Sequence, residues 1–285
     1  MSDSQDTSYT KAASRTYRKR FLEQASIFVN RLPQEQVPLH IDVLKRSLSD
    51  LSPLTPALIG YEPTMDKIAD AVEEASVSEL KEAMSCAILV KEMQPNSFQG
   101  RVESAWMHLN RRIMGVITEC DAFRSSEDVA WTAPVGPMSA DSRPLSIPKP
   151  DIGVGLRVIE RAELQTMSSR TRARDELLTE PILGQLNSHA AFRLIATPST
   201  GLEELAFPFL VYEAKSDSSS LFFAENQSAG GAAKALSLLQ QLWSEDDGTD
   251  TLPVFAFASC GTLWEAFIAF YQEQSESYQE TRSDL

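Results

Sequence analysis

A chain of 285 residues, 42% of them hydrophobic, is long enough to bury a sizeable core, as one large domain or as a core with a helical extension. Its formal charge of −14 opposes non-specific binding to a polyanion, so any contact with nucleic acid must come from local basic residues. Cys86, Cys120 and Cys260, with His40, His108 and His189, are too few and too scattered for an ordinary zinc finger or disulfide framework, and they suit a reducing compartment.

Residues 1 to about 14 are polar and aperiodic, which fits a disordered leader. The first twenty residues turn from polar to basic (Lys11, Arg15, Arg18, Lys19, Arg20) without the apolar stretch of a signal peptide, and no apolar run approaches a membrane span. The expectation is a cytoplasmic or nuclear protein with no membrane partner. Tyr17 to Arg31 spaces Phe21, Leu22, Ala25, Phe28 and Val29 three and four apart, like the stripe of a helix. A second helical pattern (Ile41, Val43, Leu44, Leu48) stops at the Pro-rich run from Ser52 to Pro56, and a third runs from Thr64 to Met93. Residues 1–96 thus read as a leader and a helical N-terminal region, packed on the core or serving as an arm for a protein partner or substrate.

Ser97 is placed to cap a long helix from Phe98 to about Thr118. The pattern then changes to short apolar or β-branched runs that read as strands, at Val129–Thr132, Ile152–Ile159, Phe207–Tyr212 and Val254–Ser259. Ala133 to Lys149, rich in Ser, Pro and Gly, reads as a hairpin loop or flap. Helices are expected from about Asp175 to Ser188 and from Ala224 to Trp243. Leu263 to Tyr271 fits either an aromatic strand or a helix, and 273–285 reads as a polar tail. This order packs naturally as an α/β fold, a mixed sheet flanked by helices, over residues 97–272.

The chemistry gathers at two strand ends. Lys149-Pro150-Asp151-Ile152 places a carboxylate at the start of one strand. Phe207-Pro208-Phe209-Leu210-Val211-Tyr212-Glu213-Ala214-Lys215 carries an almost wholly apolar strand to two charges that alternation puts on one face, with Ala214 on the other. Charges at the tip of a buried strand need a reason. A magnesium or manganese ion held by Asp151 and Glu213 supplies one, since a hard cation takes one or two carboxylates plus waters and phosphate oxygens. It would activate water for attack on a phosphodiester, with Lys215 orienting that water or neutralising the growing charge.

These residues resemble the PD-(D/E)XK nuclease superfamily, which has the restriction-endonuclease-like fold. More narrowly, Pro150-Asp151, Tyr212-Glu213-Ala214-Lys215, Ala224-Glu225-Asn226-Gln227 and Phe257-Ala258-Ser259-Cys260-Gly261-Thr262-Leu263-Trp264 look like the nuclease-like domain of many uncharacterised filamentous-fungal proteins. The resemblance spans roughly Phe98 to Tyr271. It implies a metal-dependent hydrolase, endonuclease or exonuclease, acting on nucleic acid with DNA as the first expectation, and a homodimer in keeping with many enzymes of this class. It further implies Glu103 as an accessory metal ligand and Gln227 as a polar residue near the metal. The superfamily usually separates its Asp and Glu by far fewer than the 62 positions between Asp151 and Glu213, so 161–206 reads as an insertion.

Plainer readings compete at each position. Glu213 and Lys215 would otherwise be an edge-strand ion pair, Asp151 a turn residue, Glu103 an exposed helix glutamate and Gln227 a first-turn residue. Arg157, Arg161, Arg170, Arg172 and Arg174 suit phosphate contacts or a solvated loop interleaved with Glu160, Glu163 and Asp175. Arg18, Lys19 and Arg20 would touch phosphate or dress the first helix. The rival for the whole chain is a catalytically inactive scaffold of this fold that binds protein or nucleic acid.

Overall fold

The computed structural model describes residues 16–49, the helical positions 107, 111, 114 and 115, and residues 121–136, 145–167, 178–188, 194–216, 219–242, 252–261, 263–272 and 277–283. Among the described residues seven strands occur in chain order: β1 (Ile27–Asn30), β2 (Phe123–Glu127), β3 (Ile152–Arg157), β4 (Leu205–Lys215), β5 (Val254–Cys260), β6 (Leu263–Gln272) and β7 (Ser277–Ser283). The helices among them are α1 (Leu39–Ser49), α2 (Arg161–Thr166), α3 (Glu180–Ser188) and the long α4 (Leu221–Leu239). The strands form one mixed sheet in the order β1-β7-β6-β5-β4-β3-β2. β1–β7 and β4–β5 pair in parallel and the other neighbours are antiparallel. No helix among the described residues is long and apolar enough to cross a membrane.

The apolar run of β4 reflects burial on both faces. Val211 points to α4, where a Cβ at Gly231 would lie 2.8 Å from its Cγ1. Tyr212 and Ala214 point the other way, into a core shared with Ile152, Val154 and Met114. Small residues let α4 lie close to the sheet: Ala224, Ala232 and Ala235 pack there against Ala256, Ala258 and Phe267.

Several expectations are corrected. Tyr17 to Arg31 is not one helix: a π-turn at Arg18–Leu22 and a 3₁₀ turn at Glu23–Ala25 end at Ser26, whose left-handed φ of 59° turns the chain into β1. The three-and-four spacing is real, but it serves a turn whose Tyr17, Phe21, Leu22 and Ala25 cover the outer side of α4 at Ala229 and Ala233. The strand expected at Val129–Thr132 lies earlier, at the polar β2. Residues 129–133 run irregularly, held by Trp131 N–H to Pro148 O at 2.8 Å and Ala133 N–H to Pro198 O at 2.8 Å. Leu263 to Tyr271 is strand, and the segment read as a polar tail supplies β7, which needs only backbone groups to join the sheet. The helical pattern from Thr64 to Met93, Ser97 and the run Arg170, Arg172 and Arg174 lie outside the described residues.

Candidate active site

The segment 161–206, read as an insertion, ends inside β4, whose Leu205 and Ala206 pair with Arg157 and Leu156, and beyond a register shift between Val154 and Leu156 the strands pair with Ile152 opposite Tyr212. One step outward, Asp151 faces Glu213, and directly opposed residues of an antiparallel pair share a face. Asp151 Oδ2 accepts a hydrogen bond from Ala214 N–H at 2.6 Å, which fixes this carboxylate against the end of β4. Glu213 is 1% exposed. Lys215 Nζ lies 3.9 Å from Glu213 Oε2 and donates to Ala214 O at 2.7 Å. Asp151 and the Glu213–Lys215 pair therefore lie at one end of the β3–β4 ladder, with Glu213 and Lys215 on one face as alternation along β4 predicts.

Gln227 belongs to the same neighbourhood. The helix runs back over the sheet from the end of β4, and Gly231 touches Val211. Four residues earlier in α4 is roughly 6 Å along the helix, and two residues further along β4 is roughly 6.6 Å. Gln227 is thus level with Glu213. Its side-chain oxygen is buried and has no hydrogen-bond partner among the described residues. Glu103 lies outside them.

One residue of this region was missed in the sequence. On β6, Glu265 alternates with Phe267 and Ala269, both of which face α4, and it is only 8% exposed. Ala258 lies opposite both Glu213 and Glu265 in the sheet register, so the two glutamates flank one alanine in a single row across the face. An acidic residue at a core-facing position of an apolar strand was the available signal, but Leu263 to Tyr271 read equally well as a helix.

The basic residues considered for phosphate contact are partly committed elsewhere. Arg18 Nε donates to Asn226 Oδ1 at 2.8 Å, its Nη2 meets Glu225 Oε2 at 2.5 Å, and its guanidinium lies 4.2 Å from the Phe222 ring centre. It ties the N-terminal turn to α4. Arg157 pairs with Glu163 at 2.5 Å, while Arg161 is exposed.

The donor set suits a hard divalent cation: two carboxylates on adjacent strands and an amide oxygen buried without a donor among the described residues. Among the described residues no three His, Cys, Asp or Glu side chains cluster as a metal site by themselves, so an ion here would draw on a carboxylate pair completed by other oxygens. Comparison of the chain with family models, with curated proteins and with solved structures gives no match.

Proposed function

We propose that this protein is a magnesium- or manganese-dependent nuclease with a restriction-endonuclease-like core, hydrolysing phosphodiester bonds of nucleic acid, DNA in the first instance. The observation that carries the reading is the gathering of Asp151 and the Glu213–Lys215 pair at one end of the β3–β4 ladder. Burial of Glu213 beside Lys215, 3.9 Å away, adds to it, because acidic and basic groups taken out of water together need a reason to be kept there. The PD-(D/E)XK resemblance supplies the fold assignment and the substrate class.

Asp151 and Glu213 would hold the cation, with Gln227 as a neutral oxygen beside them. The bound ion supplies Lewis-acid polarisation of the phosphoryl group and a water of lowered pKa. Asp151 is kept in place by the hydrogen bond it accepts from Ala214 N–H. Lys215 brings a positive charge to the same spot, where it can donate to a phosphate oxygen as charge builds there. In the overall reaction a water oxygen bonds to phosphorus, the bond to the leaving oxygen breaks, and that oxygen takes up a proton.

The test is cleavage of plasmid, linear DNA, single-stranded DNA and RNA in millimolar manganese by the wild type, Glu213→Ala and Lys215→Ala. The expected outcome is cleavage of DNA by the wild type and a loss of about a hundredfold or more in each variant. The formal charge of −14 favours the second reading, an inactive scaffold that binds a protein. No cleavage of any substrate, with melting unchanged by manganese, would establish that reading instead.

A further inference from the structure

We infer that the cavity between α4 and the two segments 131–136 and 145–148 binds a small organic acid, with Lys234 taking the carboxylate and the apolar walls taking one ring or two fused rings. This site stands apart from the nuclease reading, since neither Asp151 nor Glu213 lines it.

The cavity measures about 290 Å³, and Trp131, Val135, Leu145, Pro148, Gly230 and Lys234 are among its walls. Hydrogen bonds fix those walls. Trp131 N–H donates to Pro148 O at 2.8 Å, which ties the two segments to each other, and Ala133 N–H donates to Pro198 O at 2.8 Å. On the other side Tyr17 Oη and Ser146 Oγ share a hydrogen bond of 2.7 Å. Apolar walls around a charged group are the usual make-up of a small-ligand site. A cavity of about 150 Å³ holds benzene, so this one suits a body of roughly twice that size and is too small for a whole nucleotide.

Two residues of α4 point to an occupant. The first is Gly230. A glycine inside a helix costs about 1 kcal/mol relative to alanine. Gly231 is accounted for by its contact with Val211, but a Cβ at Gly230 would meet nothing within 4 Å. No packing demands this glycine, and what it leaves clear is the cavity.

The second is Lys234. Its ammonium donates to Ala133 O and Val135 O, which uses two of its three N–H groups and sets it against neutral oxygens. Arg18, Arg157 and Lys215, also partly buried, each face a glutamate. Among the described residues no carboxylate pairs with Lys234, and burial pushes its pKa down, as happens to a cation taken out of water without a counter-ion. A carboxylate from outside would supply one, through a charge-assisted bond stronger than a bond between neutral groups. A lysine that only straps the loop explains the two carbonyl contacts but not the open space at Gly230.

The experiment is calorimetric titration of the full chain with phenylacetate and indole-3-acetate, and with phenylacetamide as a neutral counterpart. The wild type is expected to bind at least one of the acids, one per chain, and to bind the amide at least about tenfold more weakly. Gly230→Leu fills the space, and it should abolish binding with melting unchanged or raised. Lys234→Met should lose the preference for acid over amide. The leucine variant decides the matter should the methionine variant fail to fold. Glu213→Ala should bind acid as the wild type does, so failure of the nuclease reading leaves this site standing. The inference is overturned by a wild type that binds neither acid or binds acid and amide equally, by acid binding that survives Gly230→Leu, or by an acid preference that survives Lys234→Met.

Discussion

At Gly153 the sheet has no room for a side chain. A Cβ there would lie 2.5 Å from Trp131 Cζ2 and 3.3 Å from Ser126 Oγ, and Trp131 is a rigid ring at 1% exposure in the core under α4. Gly153→Ala is expected to cost about 1–3 kcal/mol by overpacking, measured by urea unfolding. Trp131→Phe in the same background should recover part of that loss, because it deletes the six-membered ring that the methyl strikes. Gly153 is two residues from Asp151 on the same face, so under the proposed nuclease reading the variant should also slow cleavage more than a distant change of equal stability cost. The legibility of the site divides at this scale too. Glu213 and Lys215 could be read together from sequence because alternation along one strand fixes which side chains share a face, and Asp151 because a Pro-Asp opens the neighbouring strand. Glu265 could not, because its place in the same row as Glu213 depends on the β4–β5–β6 register.

Among the elements, α4 organises the site, and Lys234 joins it to the loop that follows β2. Lys234 Nζ donates to Ala133 O and Val135 O, pinning that loop beside Trp131, and burial holds its pKa below the ordinary lysine value of 10.5. Below both its folded and unfolded pKa values the group is charged in either state, and the desolvation cost is constant. Between them the unfolded chain holds the extra proton, so stability gained from Lys234 rises with pH up to 10.5 and is lost again as pH falls through the folded value. The neutral amine still has two N–H groups, enough for both carbonyls. Lys234→Met should therefore lower stability by about 1–3 kcal/mol near neutrality, and the gap to wild type should widen as pH is raised toward 10.5. Paired urea titrations across that range would measure it, with changes common to both proteins cancelling. Long, strongly patterned elements such as α4, β4 and β5 were legible from sequence. The first segment was not, since a period that fits a helix also fits two short turns, and the left-handed Ser26 leaves no pattern of its own.

Over the whole molecule, the two chain ends close one edge of the sheet. β7 lies between β1 and β6, so among the described residues the segment whose composition suggested a tail is the only strand joining β1 to the rest of the sheet. Composition missed it because Ser277 to Ser283 is polar, and a strand is held by backbone pairing whether or not its side chains are buried. Removing residues after 276 should therefore act on two fronts. β1 loses its partner, and with it the anchor of the turn that packs Tyr17, Phe21 and Leu22 onto α4 and directs Arg18 to Glu225 and Asn226. β6 becomes an open edge whose Ile268 and Phe270 pack with Ile41 of α1, a row of unpaired backbone groups that invites association with other chains. The expected result is loss of a large share of a stability of about 5–15 kcal/mol, seen in urea unfolding, together with concentration-dependent oligomers on size exclusion. Because α4 carries Gln227, manganese binding should weaken as well under the proposed nuclease reading. A truncated protein that stays monomeric within about 0.5 kcal/mol of wild type would mean that the sheet ends at β6 and that the N-terminal turn holds its place on α4 by its own contacts.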